Sequence, residues 1–433
     1  MPYEIIIGRS EADKKKMGKQ GLIHIGKGYV KMGQYDSLSN NIFLDVSRSH
    51  VMLIAGKRGS GKSYTMGVLT EEISNLPPNI SQNIASLIFD TMGIYWTMKY
   101  ENEKDKDLLD DWKLKSKKLP IKIFAPFGHY NELLEKGIPL DEKFALSVSE
   151  LTAEDWIITF GLELINPVSV LIQRSFNKLK KEKTSFTIKE IIHEIERDRK
   201  SEKETINAAT SLFDAADSWG VFAKDNIKET KIKDLIQGGV TSVLDLSAYN
   251  SIGTFNVRGL VISLISRKLF QERMLARKLE ELKQLNDMNH RTDRKETPLV
   301  WLFIDEAHEF LPLNKKVIST DALVQILREG RQPGMSLVLA TQQPGKIHTD
   351  VMTQSDIVLA HRVTSKQDID ALNHMMQSYL TNTIQGYMNE LPSSKGSAII
   401  LDDNSERIYP MRIRPRFTWH GGEAPTAVES KEL

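Results

Sequence analysis

The sequence predicts an α/β fold: a mostly parallel sheet, interrupted by a helical insertion and preceded by a small β-rich module. Three observations predict it. Short apolar runs bounded by turn residues alternate with helical stretches: residues 51–56 (VMLIAG), 86–90 (SLIFD) and 121–126 (IKIFAP), then 241–247, 299–304, 335–341, 356–363 and 396–403. Between these two groups, roughly 131–235, the pattern is helical, as in PVSVLIQRSFNKLKKEK (167–183) and the segment 187–219. Ahead of both, residues 1–46 read as short strands around Gly8, Gly21, Gly26, Gly28 and Gly33.

The boundaries that follow are a β-rich module over 1–46, a first core part over 47–130, the helical insertion over 131–235 and a second core part over 236–420. A polar stretch over 421–433 predicts a flexible tail. In the insertion, Ser149 and Thr152 are candidate helix N-caps, with Glu154 and Asp155 in the first turn. Residues 257–289 predict one long helix whose charged second half projects into solvent. Apolar residues at 40% and charged residues at 27% exclude a disordered chain. No run of about 18 apolar residues exists, and the N-terminus lacks the order of a signal peptide, so a cytoplasmic protein without membrane contact is expected. The absence of cysteine excludes disulfides and thiolate metal sites. A net charge of +1 means that any grip on nucleic acid must come from local basic patches.

The strongest local signal is Gly56-Lys57-Arg58-Gly59-Ser60-Gly61-Lys62-Ser63, a G-x-x-x-x-G-K-[ST] run set between an apolar strand and a helix. Glycines let backbone N–H groups turn inward around phosphate oxygens, and the helix that follows adds the positive end of its dipole. ATP is the expected nucleotide, held by residues 56–64 including Tyr64. Lys62 reaches the β and γ phosphates, and Ser63 offers a hydroxyl to Mg²⁺. Apolar residues 299–304 then lead into Asp305 and Glu306, placing two acids at the carboxyl edge of a buried strand, where ligands bind in such sheets. Asp305 is expected to hold Mg²⁺ indirectly or through water, and Glu306 to orient and deprotonate the attacking water. A lone acidic pair otherwise reads as a helix N-cap. The strand 336–341 ends in Gln342 and Gln343; Gln342 senses the γ-phosphate or positions water, or else solvates a loop. These features predict a RecA-like P-loop NTPase core.

The segments FIDEAH (303–308), REGRQPGMSLVLATQQP (328–344), DIVLAHRVTSKQDIDAL (356–372) and RPRFTWHGG (414–422) resemble the HerA-like ATPases, relatives of the FtsK motors. The similarity covers about Ser47–Pro126 and Gly238–Gly422. It implies a hexameric ring that moves double-stranded DNA beside a NurA-like nuclease in end processing, or beside an effector protein in antiphage defence. It also implies that the C-terminal segment braces the nucleotide region of an adjacent subunit. Two departures stand out. Only about 46 residues precede the core, against a larger barrel domain in the archaeal proteins. Asp90-Thr91-Met92-Gly93-Ile94-Tyr95 keeps only Asp90, Gly93 and Tyr95 of the family's D-x-H-G-E-Y. Asp90 reads equally as a magnesium-shell group and as a turn-closing acid.

Lys315, Lys316 and Lys346 follow strands whose carboxyl ends face the nucleotide, so they are candidate DNA-phosphate contacts; the alternative is solvated surface lysine. Arg412, Arg414 and Arg416 alternate along a strand and so share one face, with DNA contact as an alternative to the bracing role. His308 and His361 lack metal-ligand spacing and read as hydrogen-bonding residues. Arg331 sits in a helix-to-strand connection, hence at the amino edge, away from its own nucleotide. It is the candidate arginine finger for a neighbour's ATP, against a surface ion pair with Glu329 or Asp321. A DNA-moving motor is the leading reading; an ATP-dependent scaffold that organises an effector is the alternative.

Overall fold

The computed structural model describes residues 3–32, 35–224, 227–251, 256–286, 295–376 and 384–423, so most of the expected tail lies outside the described residues. The strands are β1 (Ile5–Ile7), β2 (Leu22–Met32), β3 (Tyr35–Asp45), β4 (Val51–Ala55), β5 (Ile84–Asp90), β6 (Ile121–Pro126), β7 (Glu142–Phe144), β8 (Thr241–Asp245), β9 (Leu299–Ile304), β10 (Met335–Thr341), β11 (Ile357–His361), β12 (Ser397–Asp402) and β13 (Arg407–Ile413). They form one sheet in the order β1-β3-β2-β13-β12-β11-β4-β10-β9-β5-β8-β6-β7. From β11 to β7 every neighbouring pair is parallel, and the strands from β11 to β8 are buried almost throughout, as parallel strands covered on both faces must be, while β7 at the edge is largely exposed.

Alternation along β4 shows how the sheet divides its cores. Leu53 and Ala55 join the apolar layer under the helical insertion, while Met52 and Ile54 join the layer under the helix Lys62–Ser74. The insertion wraps Trp156, whose ring lies 5.3, 5.0 and 5.2 Å from those of Phe160, Phe213 and Phe222. Thr152 does cap the helix Ala153–Thr159, in a reciprocal box with Asp155, whereas Ser149 lies in the 3₁₀ turn Val148–Glu150. The segment also holds the short strand β7 on the sheet edge, too brief to announce itself in sequence. The long helix Val257–Asn286 exposes Leu275, Leu279, Leu282 and Leu285 in its second half, so that half is amphipathic and not merely charged.

The N-terminal strands continue the main sheet through antiparallel pairing of β2 with β13. Ile5, Ile7, Ile23, Ile25, Ile42 and Leu44 share an apolar layer with Met52 and Ile54 of β4. A short helix, Glu11–Met17, capped by Ser10, lies among these strands and has no counterpart in the expected pattern.

The C-terminal arginines do not share a strand face. β13 ends at Ile413; Arg412 stays outward and donates to the Lys395 carbonyl, while Arg414 and Arg416 turn inward after it. Both meet Glu71, on the helix Lys62–Ser74 of the same chain, so this segment braces its own nucleotide helix. Glu71 accepts from Arg416 Nε at 3.0 Å, Arg414 Nη2 at 3.2 Å, and the Phe417 and Thr418 N–H groups at 2.9 and 3.0 Å. Burial would push its carboxyl up, but Arg416, Arg414, Thr418 and the Phe417 N–H outweigh that and hold it below the usual range. Removing the charge leaves buried Arg416 without a carboxylate and Arg414 with Glu72 as its remaining one. Glu71→Gln should therefore lower unfolding stability by about 3–5 kcal/mol, read from the urea midpoint. A loss under about 1 kcal/mol would show that the ion pairs are dispensable.

Candidate nucleotide site

The loop between β4 and the helix Lys62–Ser74 carries the phosphate-binding pattern. Gly61 sits at φ 111°, closed to residues with a side chain, and caps the helix without a side-chain hydrogen bond. The first-turn N–H groups therefore remain free to meet an anion. Lys62 is nearly buried and its Nζ curls back to the Lys57 carbonyl at 3.2 Å. Burial pushes its pKa down, opposed by the charges of Glu306 and Asp305.

Strand order places the acids. β10 lies between β4 and β9, with Thr341 beside Ala55 and Leu339 beside Ile304. Ser63 bridges this gap from the first helical turn: its hydroxyl donates to Asp305 Oδ2 at 2.6 Å. Burial raises the Asp305 carboxyl, and the Ser63 bond works against that. Glu306 adopts a left-handed conformation, φ 49°, unusual for a residue with a side chain and found where a site demands it. Gln342 Nε2 donates to Glu306 Oε1, while Glu306 Oε2 is buried with no hydrogen-bond partner. A free carboxylate oxygen beside an amide donor suits a base that holds one water.

Two histidines complete the frame. His308 Nδ1 lies 3.2 Å from the Thr341 hydroxyl and 3.6 Å from Glu306 Oε2. His361, fully buried, lies behind the loop. Its Nδ1 must donate to the Ser397 carbonyl, 3.2 Å away, so Nε2 accepts from the Thr65 hydroxyl at 2.9 Å. Burial, then the charge of Lys62, pushes its pKa down to about 4 against the Ser397 bond, and the ring is neutral.

The structure thus brings together Lys62, Ser63, Asp305, Glu306 and Gln342. Tyr64 follows the loop; its hydroxyl accepts from the Arg416 N–H at 2.8 Å and its ring stands edge-on to His420. Asp90 closes a turn, accepting from the Met92, Gly93 and Tyr95 N–H groups; burial and the neighbouring Asp245 push it up to about 7. Lys315, Lys316 and Lys346 are exposed. Their loops are joined by a Pro312–Ile347 bridge and a Leu313 N–H bond to the Lys346 carbonyl at 2.9 Å, and Lys316 pairs with Asp321 at 2.7 Å.

Arg331 stands apart, exposed on the amino edge, in a cleft of about 860 Å³ also lined by Arg48, His50, Arg273 and Asp356. It forms no ion pair with either expected partner: Asp321 pairs with Lys316 and Glu329 accepts from Gln325. One carboxylate and one hydroxyl beside a phosphate cradle suit Mg²⁺, which takes its remaining ligands from phosphates and water.

This sheet order and this site define a RecA-like P-loop fold. The chain belongs to the helicase HerA central-domain family, whose profile matches residues 24–269. A profile of zonular occludens toxin matches residues 243–395. The probable DNA double-strand break repair helicase HerA of Methanocaldococcus jannaschii is 24% identical over 347 residues, 76% of this chain and 65% of that protein. The Pyrococcus furiosus DNA double-strand break repair helicase HerA is 23% identical over 38% of this chain and 31% of its own length. The chain thus spans under two thirds of these relatives. VirB4 of Thermoanaerobacter pseudethanolicus superposes with a TM-score of 0.55 at 12% identity, covering 92% of this chain and 96% of that one. The bacterial conjugative coupling protein TrwBdeltaN70 gives 0.52 at 12% identity, covering 87% of each chain. These two likenesses concern the fold. Among the described residues no helix is long and apolar enough to cross a membrane.

Neutral His361 makes the loop's support pH-dependent in a defined direction. Its ordinary pKa is 6.5 and its folded value about 4, so below pH 6.5 the unfolded chain binds the proton first. The stability advantage of wild type over His361→Gln should shrink by about 3 kcal/mol between pH 6.5 and 4. Urea titrations of both proteins across that range check it; a constant difference would mean that the ring titrates normally when folded.

Proposed function

We propose that the chain is an ATP-hydrolysing motor that assembles into a ring, with a hexamer as the expected size, and moves double-stranded DNA. The observation that carries this reading is the separation of two half-sites. The phosphate loop and Glu306 lie at the carboxyl edge of the sheet; Arg331 lies at the amino edge, with no ion pair among the described residues. A chain with both halves, unable to join them itself, is completed by a head-to-tail neighbour.

In this reading the N–H groups of residues 56–64 and the Lys62 ammonium hold the phosphates of ATP. Ser63 and Asp305 hold Mg²⁺, which supplies charge neutralisation when bound. Glu306, oriented by Gln342, takes a proton from water as its oxygen attacks the γ-phosphorus, and the bond to the β-phosphate oxygen breaks to leave ADP. Arg331 of the adjacent subunit stabilises charge on the transferring group. The bridged loops bearing Lys315, Lys316 and Lys346 face DNA phosphates. A nuclease of NurA type or a defence effector is the proposed protein partner, and the cytoplasm the proposed compartment. The similarity to archaeal DNA double-strand break repair helicases supports the DNA assignment.

Mixing separates a trans site from a cis site. Glu306→Gln and Arg331→Ala should each bind ATP and lose turnover by about 10³-fold or more. Mixed rings should regain partial turnover, because an intact Glu306 site can then face an intact Arg331. No recovery at any ratio, with mixed assemblies verified by native mass spectrometry, would refute action in trans.

DNA contact has a separate signature. Each phosphate neutralised contributes about −0.9 to the slope of log K against log salt. Replacing Lys315 and Lys316 together with alanine should flatten that slope by roughly 2 per bound subunit while leaving ATP binding intact. An unchanged slope would take this loop off the DNA path.

A further inference from the structure

We infer that Arg273 is a positioning residue for Arg331, fixing the connection that presents Arg331 to a neighbouring copy. The inference rests on the trans arrangement proposed above. Arg273 comes from the long helix Val257–Asn286 and is fully buried. Its Nε donates to the Pro333 carbonyl at 2.8 Å, and its Nη1 to the Thr297 carbonyl at 2.8 Å and to Glu280 at 3.3 Å. One guanidinium therefore ties together the long helix, the entry to β9 and the loop before β10.

That loop is the one bearing Arg331. Gly330 closes the helix Thr320–Glu329, and the Met335 N–H returns to the Gly330 carbonyl at 2.8 Å, so residues 330–335 form a tight closed turn. The Gly334 carbonyl accepts from Val300 N–H at 3.1 Å, pinning the far end to β9. Arg273 grips the turn between these points, two residues beyond Arg331. With the backbone held on both sides, the direction in which Arg331 leaves the sheet edge is set by the fold.

Packing alone does not call for an arginine here. Burying a guanidinium costs several kcal/mol, and an apolar side chain of similar volume often fills such a place without loss. Arg273 even leaves Nη2 without a partner, 3.3 Å from where a Cβ on Gly334 would sit. What the arginine adds is direction: two fork-like bonds to carbonyls of two different segments, which a hydrocarbon cannot make. Arg273 and Arg331 line the same cleft, and Glu280, the carboxylate on Arg273, is shared with Lys295 at 3.0 Å.

The test uses the assembled full chain with ATP and two variants, Arg273→Met and Arg273→Lys. Arg273→Met should lower kcat at least about tenfold with KM for ATP within about twofold, since a misdirected arginine touches only the transition state. Arg273→Lys, which keeps the charge and can reach one carbonyl, should fall between, and it carries the test if the methionine variant does not fold. Mixed with Glu306→Gln, either variant should regain turnover; mixed with Arg331→Ala it should not, because both lesions disable the same half-site. Wild-type kcat in folded variants, or recovery with Arg331→Ala in place of Glu306→Gln, would overturn the inference. If Arg331→Ala itself keeps wild-type turnover, the trans reading fails first; if Arg331→Ala is inactive and the Arg273 variants are not, only the positioning role fails.

Discussion

A carboxylate that never meets water holds this molecule together. Glu71 sits on the inner face of the helix Lys62–Ser74, and two arginines plus two backbone N–H groups from beyond the last strand converge on it. Gly67, one turn earlier, makes the approach possible: a Cβ there would lie 2.6 Å from the Arg416 guanidinium carbon. Charges taken out of water in this way cost several kcal/mol each and hold only when every lone pair finds a donor. Here the donors are supplied by a segment whose preceding strand, β13, pairs with β2. The N-terminal strands, the C-terminal strands and the phosphate-binding helix are therefore clamped at one point, and the loop at the head of that helix inherits a fixed position against the sheet.

A second constraint comes from strand order. Neighbouring strands lie about 4.8 Å apart, so inserting β10 between β4 and β9 separates the phosphate loop from the acids by roughly 10 Å at sheet level. Ser63 closes that gap on one side by reaching Asp305, and Gln342, at the end of the inserted strand, reaches Glu306 on the other. Parallel strands also fix which groups cannot meet: anything in a helix-to-strand connection exits at the opposite edge. Arg331 is excluded from its own nucleotide by topology, whatever its side chain does.

The motifs that make the site were legible because their chemistry forces residue types. Only glycine accepts φ 111° at position 61, and only an apolar run can bury β9 and deliver Asp305 and Glu306 to its end. The alternation of strands and helices, and the helical insertion, came through for the same reason: periodicity reports burial. Long-range pairing did not. Nothing local in residues 26–28 or 411–413 says that they are neighbours. The arginine pattern at 412, 414 and 416 misled because Pro415 ends the run and the chain turns inward, so spacing on a strand no longer applies. Glu71 reads as one more helix acid beside Glu72; its burial depends on partners more than 340 residues away. The left-handed Glu306 has no signature of its own, since glutamate favours that conformation nowhere.

The joined loops show how the two constraints meet. Residues 311–314 continue from the strand ending in Asp305 and Glu306, and residues 345–348 continue from the strand ending in Gln342. The Pro312–Ile347 bridge and the bonds from Leu313 to Lys346 and from His348 to Leu311 make them a single surface. At their roots the same two strands are tied by the Gln342–Glu306 bond. A change at Glu306 therefore cannot reach one loop without the other, because backbone bonds and not side-chain packing connect them. The clamp on Glu71 fixes the helix Lys62–Ser74 against the sheet, while the acids, the glutamine and the paired loops beyond them are joined to one another. In the motor proposed above, a fixed phosphate loop behind the nucleotide and a jointed surface in front of it would be the two parts that couple hydrolysis to movement.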